Sequence, residues 1–504
     1  MSDLLEAVFA ACDRTPDAPA LTRGRTTLTF AELRDAMLGT ATGLRSRGFA
    51  PGDRVLFSVR PGPEGILLAL GVVAAGGTVI FADPGQGDSL LRSRVALARP
   101  RWVAAESLLY AISAGPLRRL ARTRGIDLPD YSSVVPEATH LVAGPWLPGV
   151  PRGAVPVRRL ARTAPRGGAP ADAGDPHAPA LVIFTSGTTD HPKAVVHTRA
   201  TLGAGLGDFA AAVELRAGER VVTDQLMIGI PALIAGAHWE LPPPGLDPAA
   251  RPERVRPLLD RADVLFAVPA ALDALLALLA SRGRGPATAS PRAIILGGAP
   301  VLRPLLERAR SAFPGTRIHA VYGMTEMLPI AIADGAEKLA RDGHGDYVGR
   351  LMPSVSARID DGELVVSGPG LADYLDEPLA ELRTGDLARL EGDEVVLAGR
   401  AKDMFIRGTT NVYPGLYEPV IAGLPGVRDA ALVGVPDAIG DDELVLAVVL
   451  DGTTVDRVRR ALPGLIDAAV LPDRIIPVDA LPTRGRSRKL DRAALARQLA
   501  GGPA

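Results

Sequence analysis

The densest chemistry in the chain lies in Leu181-Val-Ile-Phe-Thr-Ser-Gly-Thr-Thr-Asp-His-Pro-Lys-Ala-Val-Val-His197, an apolar run that opens into a loop of hydroxyls and glycine and ends on a lysine. Thr185, Ser186, Gly187, Thr188 and Thr189 offer hydroxyls and consecutive backbone N–H groups able to form an anion-binding nest. Lys193 adds a compact positive charge with three donors. Together these groups suit phosphate. The spacing is not the Walker pattern, because no second glycine precedes Lys193 and Ala194 follows it. A polar surface turn after a buried strand is the competing reading. Lysine usage separates the two: of 56 basic residues only Lys193, Lys338, Lys402 and Lys489 are lysine. A chain that places arginine elsewhere is expected to keep lysine where only a point charge fits.

Such a loop needs a rigid sheet behind it. At 504 residues the chain is too long for one core, so two or more domains are expected. Residues 1 to about 140 alternate strand-like and helix-like segments: Leu28-Thr-Phe30 then a helix to Leu44, a strand at Arg54–Val59, and a helix, turn and strand across Gly65–Ala82 divided by Gly76-Gly77. That alternation is the α/β pattern of a mostly parallel sheet. From about Gly144 to Pro179, Pro, Gly, Ala and Arg dominate without periodicity, which predicts an exposed connector. Glu363–Ser367 and Glu394–Leu397 predict short strands in a small β-barrel-like region. Beyond Lys402, strands at Asp429–Gly434 and Leu444–Leu450 and a helix at Val455–Leu462 predict a separate α+β domain. The expected division is 1–401 and 402–504.

Bulk properties exclude several function classes. A net charge of -1 offers no bulk attraction for nucleic acid, and the single cysteine, Cys12, excludes an intrachain disulfide and Cys-rich metal sites. The seven histidines show no ligand spacing. No membrane span is expected, and the amino-terminal residues lack the pattern of a signal peptide, so a cytoplasmic location is expected. Nothing in the sequence sets the oligomeric state.

Thr185-Ser-Gly-Thr-Thr-Asp-His-Pro-Lys193 resembles the phosphate-binding signature of the adenylate-forming superfamily, which includes acyl-CoA synthetases, peptide-synthetase adenylation domains and luciferases. Asp190 departs from the glycine usual there. Further signatures follow in the family's order. Ile295-Leu-Gly-Gly-Ala-Pro300 resembles the adenine-contacting loop, which implies that Gly297, Gly298 and Ala299 lie against the base. Tyr322-Gly-Met-Thr-Glu326 is more specific. The resemblance implies that Tyr322 stacks on adenine beside Gly323, that Thr325 meets the α-phosphate and that Glu326 holds Mg²⁺. Arg383-Thr-Gly-Asp386 implies that Asp386 accepts from the ribose hydroxyls, with Arg400 on the same sugar. Lys402 matches the hinge, and Gly408 the glycine beside which the pantetheine arm of CoA passes. Pro482–Arg492 supplies Lys489 as the last catalytic lysine, with Arg488 where glycine is usual. Three of the four lysines thus fall on the family's three lysine positions.

The resemblance implies a large domain of two α/β subdomains and a β region, a small mobile α+β domain, and ATP, Mg²⁺ and CoA as cofactors. It implies activation of a carboxylic acid, fatty or hydroxy, to its adenylate. Transfer to CoA leads the readings of the second step. Gln225-Leu-Met-Ile228 carries isoleucine where the family has histidine. Asp83–Gly87, the segment Leu246-Asp-Pro-Ala-Ala and Tyr322–Ile330 resemble the β-lactone synthetases of olefin biosynthesis, in which the substrate's own hydroxyl displaces AMP. An amide-forming ligase is the next reading, and a nucleotide-binding protein without turnover the last. The acyl pocket is expected from residues 227–230 and 297–327.

Overall fold

The computed structural model describes residues 3–82, 88–114, 117–123, 128–163, 175–185, 193–281, 290–341, 343–375, 377–400, 403, 405–407, 410–436, 442–466, 470–484 and 488–500. The fold is mixed α/β, with a large amino-terminal part and a small carboxy-terminal one. By internal contacts it divides into a first unit (Met1–Leu246, Thr325–Leu328, Pro369–Ala380) and a second (Asp247–Met324, Pro329–Gly368, Glu381–Ala504).

In the first unit, one sheet runs in the order Asp373–Tyr374, Lys193–Thr198, Pro179–Thr185, Thr78–Phe81, Arg54–Ser58, Trp102–Glu106, Thr139–Ala143 and Val155–Pro156. Its centre is parallel, and Leu56, Ile80, Val103 and Val182 bury the continuous apolar run that a two-face-covered sheet demands. A smaller group of strands, Arg220–Val222, His238–Leu241, Pro19–Arg23 and Thr26–Thr29, ends in an antiparallel pair. Phe30 opens the helix Phe30–Arg45 instead of closing the preceding strand, because Thr29 and Glu32 form a capping box there. The described first part of the expected connector carries more structure than its composition predicts. Val155–Pro156 joins the sheet edge, and Val157–Leu160 is a helical turn with both end residues buried. Two glycines one turn apart make room for it: a Cβ on Gly39 would lie 2.3 Å from the Ala161 carbonyl oxygen, and one on Gly43 3.0 Å from Leu160.

In the second unit Val264–Ala267, Ala293–Gly297 and Arg317–Tyr322 are parallel neighbours. The sheet continues antiparallel through Ala331–Asp334, Asp346–Leu351, Glu394–Arg400, Leu382–Glu391, Glu363–Ser367 and Ser356–Asp360. The strands expected in a barrel-like region are therefore present but belong to an open sheet, with no closed barrel among the described residues. Gly349 marks a break in this ladder, at φ +100° beside a register shift. A Cβ there would lie 2.0 Å from the Ile332 carbonyl oxygen, so Gly349→Ala is expected to destabilise the fold by about 3 kcal/mol or more. Thermal melting of the variant checks this, and an unchanged midpoint would refute it.

The carboxy-terminal strands Val427–Pro436 and Asp442–Leu450 pair antiparallel, and Arg474–Pro477 adds a parallel edge. Alternate residues face opposite sides. Leu432, Leu444 and Leu446 pack with Tyr417 and Val458, while Ala431, Val433 and Val445 pack with Leu495 and Leu499. Lys489 sits on a two-residue strand paired with Thr483–Arg484, ahead of the terminal helix Arg492–Ala500. No described helix is long and apolar enough to cross a membrane.

Candidate active site

Seven of the expected site residues are brought to one sheet of the second unit. Gly297 ends one parallel strand opposite Val321, and Tyr322 ends the next, with Gly323 following. Ligands of parallel sheets collect at such carboxyl ends. A Cβ on Gly297 would make only ordinary contacts, 3.6 Å to Val321, so protein packing does not account for the glycine. Gly298 turns the chain at φ +85° and leads to half-buried Ala299.

Asp386 is the centre of this cluster. Arg383 pairs with Asp360 and Glu363, Thr384 donates to the Leu364 carbonyl, and Gly385 at φ +71° donates its N–H to Glu363. This braced turn leaves Asp386 3% exposed. Arg400 is its partner in the antiparallel ladder, and its Nε lies 2.7 Å from Oδ1. The Tyr322 hydroxyl donates to Oδ2 at 2.7 Å. Each carboxylate oxygen is thus fixed by one donor and keeps a lone pair for another. Burial pushes the Asp386 carboxyl above its usual range, and Arg400, Tyr322 and the charge of Lys489 oppose the shift. Burial, followed by the charge of Asp386, raises the Tyr322 phenol well above its ordinary value, so it remains a donor.

Arg488, where glycine was expected, adopts the left-handed conformation at φ +49° and donates to Asp247 at 3.3 Å. The fourth lysine, which matched no signature, is structural: Lys338 pairs with Asp346 and donates to the Tyr347 carbonyl at 2.6 Å. Its side chain is 9% exposed.

In the first unit Thr185 and Lys193 are register partners at the ends of the two strands that flank residues 186–192. Ser186, Gly187, Thr188, Thr189 and Asp190 lie outside the described residues, as do Lys402 and Gly408. Lys193 is exposed, with its Nζ 4.5 Å from the centroid of the Tyr374 ring. Glu326 is 6% exposed and accepts from the Tyr374 hydroxyl at 3.1 Å. No cluster of three His, Cys, Asp or Glu exists among the described residues. A single buried carboxylate is a fitting donor for Mg²⁺, which arrives on phosphates and retains waters, and a poor one for an ion needing an all-protein cage.

Two neighbours of these residues were not anticipated. His197 is the penultimate residue of the strand Lys193–Thr198, and its Nε2 lies 2.8 Å from the Thr325 carbonyl oxygen, fixing the backbone beside Glu326. Burial lowers its pKa, so the ring is neutral and carries its proton on Nε2, the nitrogen facing a pure acceptor. Tyr374 is the other. A histidine at the far end of an apolar strand and a tyrosine in a two-residue strand have no periodic signal in the sequence.

The AMP-binding enzyme family matches residues 8–374, and its AMP-binding enzyme C-terminal domain matches residues 417–489. The chain belongs to this family and is an AMP-forming ligase. Feruloyl-CoA synthase of an Amycolatopsis species is 28% identical over 94% of this chain and 95% of that one. Indoleacetate–CoA ligase of Aromatoleum aromaticum is 30% identical over 63% of this chain and 67% of its own. Among solved structures, the amide bond synthetase McbA from Marinactinospora thermotolerans superposes with a TM-score of 0.79 at 25% identity, covering 98% of this chain and 99% of that one. ATP-bound MatB from Rhodopseudomonas palustris does so with a TM-score of 0.77 at 23% identity over 99% of each chain, a likeness of fold.

Proposed function

We propose that the protein uses ATP and Mg²⁺ to convert a carboxylic acid to its acyl-adenylate, releases pyrophosphate, and passes the acyl group to CoA. The observation that carries this reading is the doubly braced, buried Asp386 beside Tyr322 and Arg400, which suits the paired hydroxyls of a ribose. A carboxylate attacking the α-phosphate brings two anions together, so cations and N–H donors must neutralise the charge that develops. In this reading Lys193 and the Thr185–Thr189 loop take the β- and γ-phosphates, and Thr325 takes the α-phosphate. Gly297, Gly298, Ala299 and Tyr322 receive the adenine, and Lys489 reaches the substrate carboxylate. Glu326 would hold Mg²⁺, which would supply positive charge to offset that of the phosphates. By their sequence match, Lys402 is assigned the family's hinge role and Gly408 a role toward CoA, both outside the described residues.

The CoA acceptor is supported by the named activities of the two ligases above, which also direct attention to aryl acids beside fatty and hydroxy acids. The likeness to McbA favours a second reading, in which a free amine captures the adenylate. The β-lactone reading rests on sequence segments alone. The test is mass spectrometry of products from aryl, fatty and β-hydroxy acids with ATP, with CoA, an amine or neither supplied. Acid-dependent pyrophosphate release with a thioester formed only when CoA is present is expected. Amide, or lactone without CoA, would replace the acceptor, and absence of pyrophosphate release with every acid would overturn turnover altogether.

A further inference from the structure

Tyr374 touches both charged residues of the first unit to which the reading above gives phosphate and metal roles. Its strand, Asp373–Tyr374, pairs antiparallel with Val195 and Val196, so its side chain lies diagonal to Lys193 on the same face. The backbone clamps this strand on both sides: the Ala372 N–H donates to the Glu326 carbonyl and the Leu375 N–H to the Ala194 carbonyl, each at 2.9 Å. Reciprocal backbone bonds at 3.0 Å between Tyr374 and Glu377 close its end. The ring is therefore held on a fixed backbone between the chain that carries Lys193 and the chain that carries Glu326.

One side chain performs two tasks from that place. The hydroxyl donates to Glu326 Oε1 at 3.1 Å and fixes one carboxylate oxygen. The face of the ring holds the Lys193 ammonium at 4.5 Å. A direct ion pair of Lys193 with Glu326 would cancel the two charges that an incoming metal triphosphate requires. A cation–π contact is weak enough, about 0.5–2 kcal/mol, to give way to phosphate. We propose that Tyr374 is a positioning residue for the triphosphate, aiming Glu326 through its hydroxyl and holding Lys193 off that carboxylate with its ring.

The inference rests on the adenylation reading, and the two tasks separate by substitution. Tyr374→Phe keeps the ring and removes the donor, whereas Tyr374→Leu removes both. The measurement is calorimetric ATP binding, without acid or acceptor, titrated over MgCl₂ concentration. In Tyr374→Phe the Mg²⁺ concentration for half-maximal ATP binding should rise about tenfold, the loss of one hydrogen bond to a charged group, while ATP affinity at saturating Mg²⁺ stays near wild type. Tyr374→Leu should add a loss of about three- to tenfold in ATP affinity that Mg²⁺ does not restore. Circular dichroism of both variants should match wild type. If Tyr374→Phe leaves the Mg²⁺ dependence unchanged, or lowers affinity equally at all Mg²⁺ concentrations, the assignment is wrong while adenylation stands. Wild-type protein that binds no ATP with Mg²⁺ overturns both.

Discussion

Lys489→Ala should slow acid-dependent ATP–pyrophosphate exchange by about 10²- to 10³-fold, the loss expected when one oriented charge is removed from a developing anionic centre. Lys489 is exposed on its short strand, and its charge opposes the burial-driven rise of the Asp386 carboxyl pKa, so it lies within electrostatic reach of the proposed ribose anchor. An ammonium there can follow charge that appears only as the acid attacks, which affects rate more than ground-state binding. ATP affinity measured by calorimetry should accordingly change little. Thioester formation from a supplied acyl-adenylate and CoA should also survive, because that step builds no bond to the α-phosphate. An unaltered exchange rate would remove Lys489 from the mechanism.

Asp386→Asn should weaken ATP binding by about 10²-fold, since two ribose hydroxyls lose a charged acceptor worth at least about 1.5 kcal/mol to each. The substitution keeps the volume of a residue that is almost fully enclosed, and Arg400, whose side chain is 39% exposed, can turn its charge to water. The loss should therefore appear in nucleotide affinity more than in stability. Discrimination provides the sharper measurement: wild type should prefer ATP over 2′-deoxy-ATP, and the variant should lose most of that preference while binding tripolyphosphate as before. Equal affinities of wild type and variant for ATP would place the nucleoside elsewhere.

Much of this arrangement is legible in the sequence, for reasons that differ from residue to residue. The buried parallel strands announce themselves as unbroken apolar runs, and Asp429–Gly434 and Leu444–Leu450 lie within the observed pair Val427–Pro436 and Asp442–Leu450. Tyr322, Asp386 and Arg400 could be named because ordered signatures carry them, and the fold brings these three into contact. Contacts set by register are invisible to such reading. Tyr374 meets Lys193 only because two short strands pair as they do, and His197 meets Thr325 across 128 positions of sequence. Composition misled where packing overrode it: the Pro- and Arg-rich connector contributes a buried turn because Gly39 and Gly43 leave a groove for it. The β region, expected to be barrel-like, is an open sheet among the described residues, because Glu394–Arg400 and Glu363–Ser367 find their ladder partners along one continuous sheet.

The clamped state of Lys338 bears on how such a protein survives its own product. An acyl-adenylate is a mixed anhydride that acylates free amines and thiolates on encounter, whereas guanidinium groups, held protonated, do not react. Here one lysine is tied to Asp346 and a backbone oxygen, and the lone thiol, Cys12, is enclosed, with burial and Asp13 raising its pKa to about 12. Lys193 and Lys489, the exposed lysines among the described residues, are those assigned to nucleotide and substrate. A chain whose basic residues are almost wholly arginine thus offers an escaping anhydride few amines to modify, and self-inflicted damage falls chiefly on groups that the nucleotide would shield while bound.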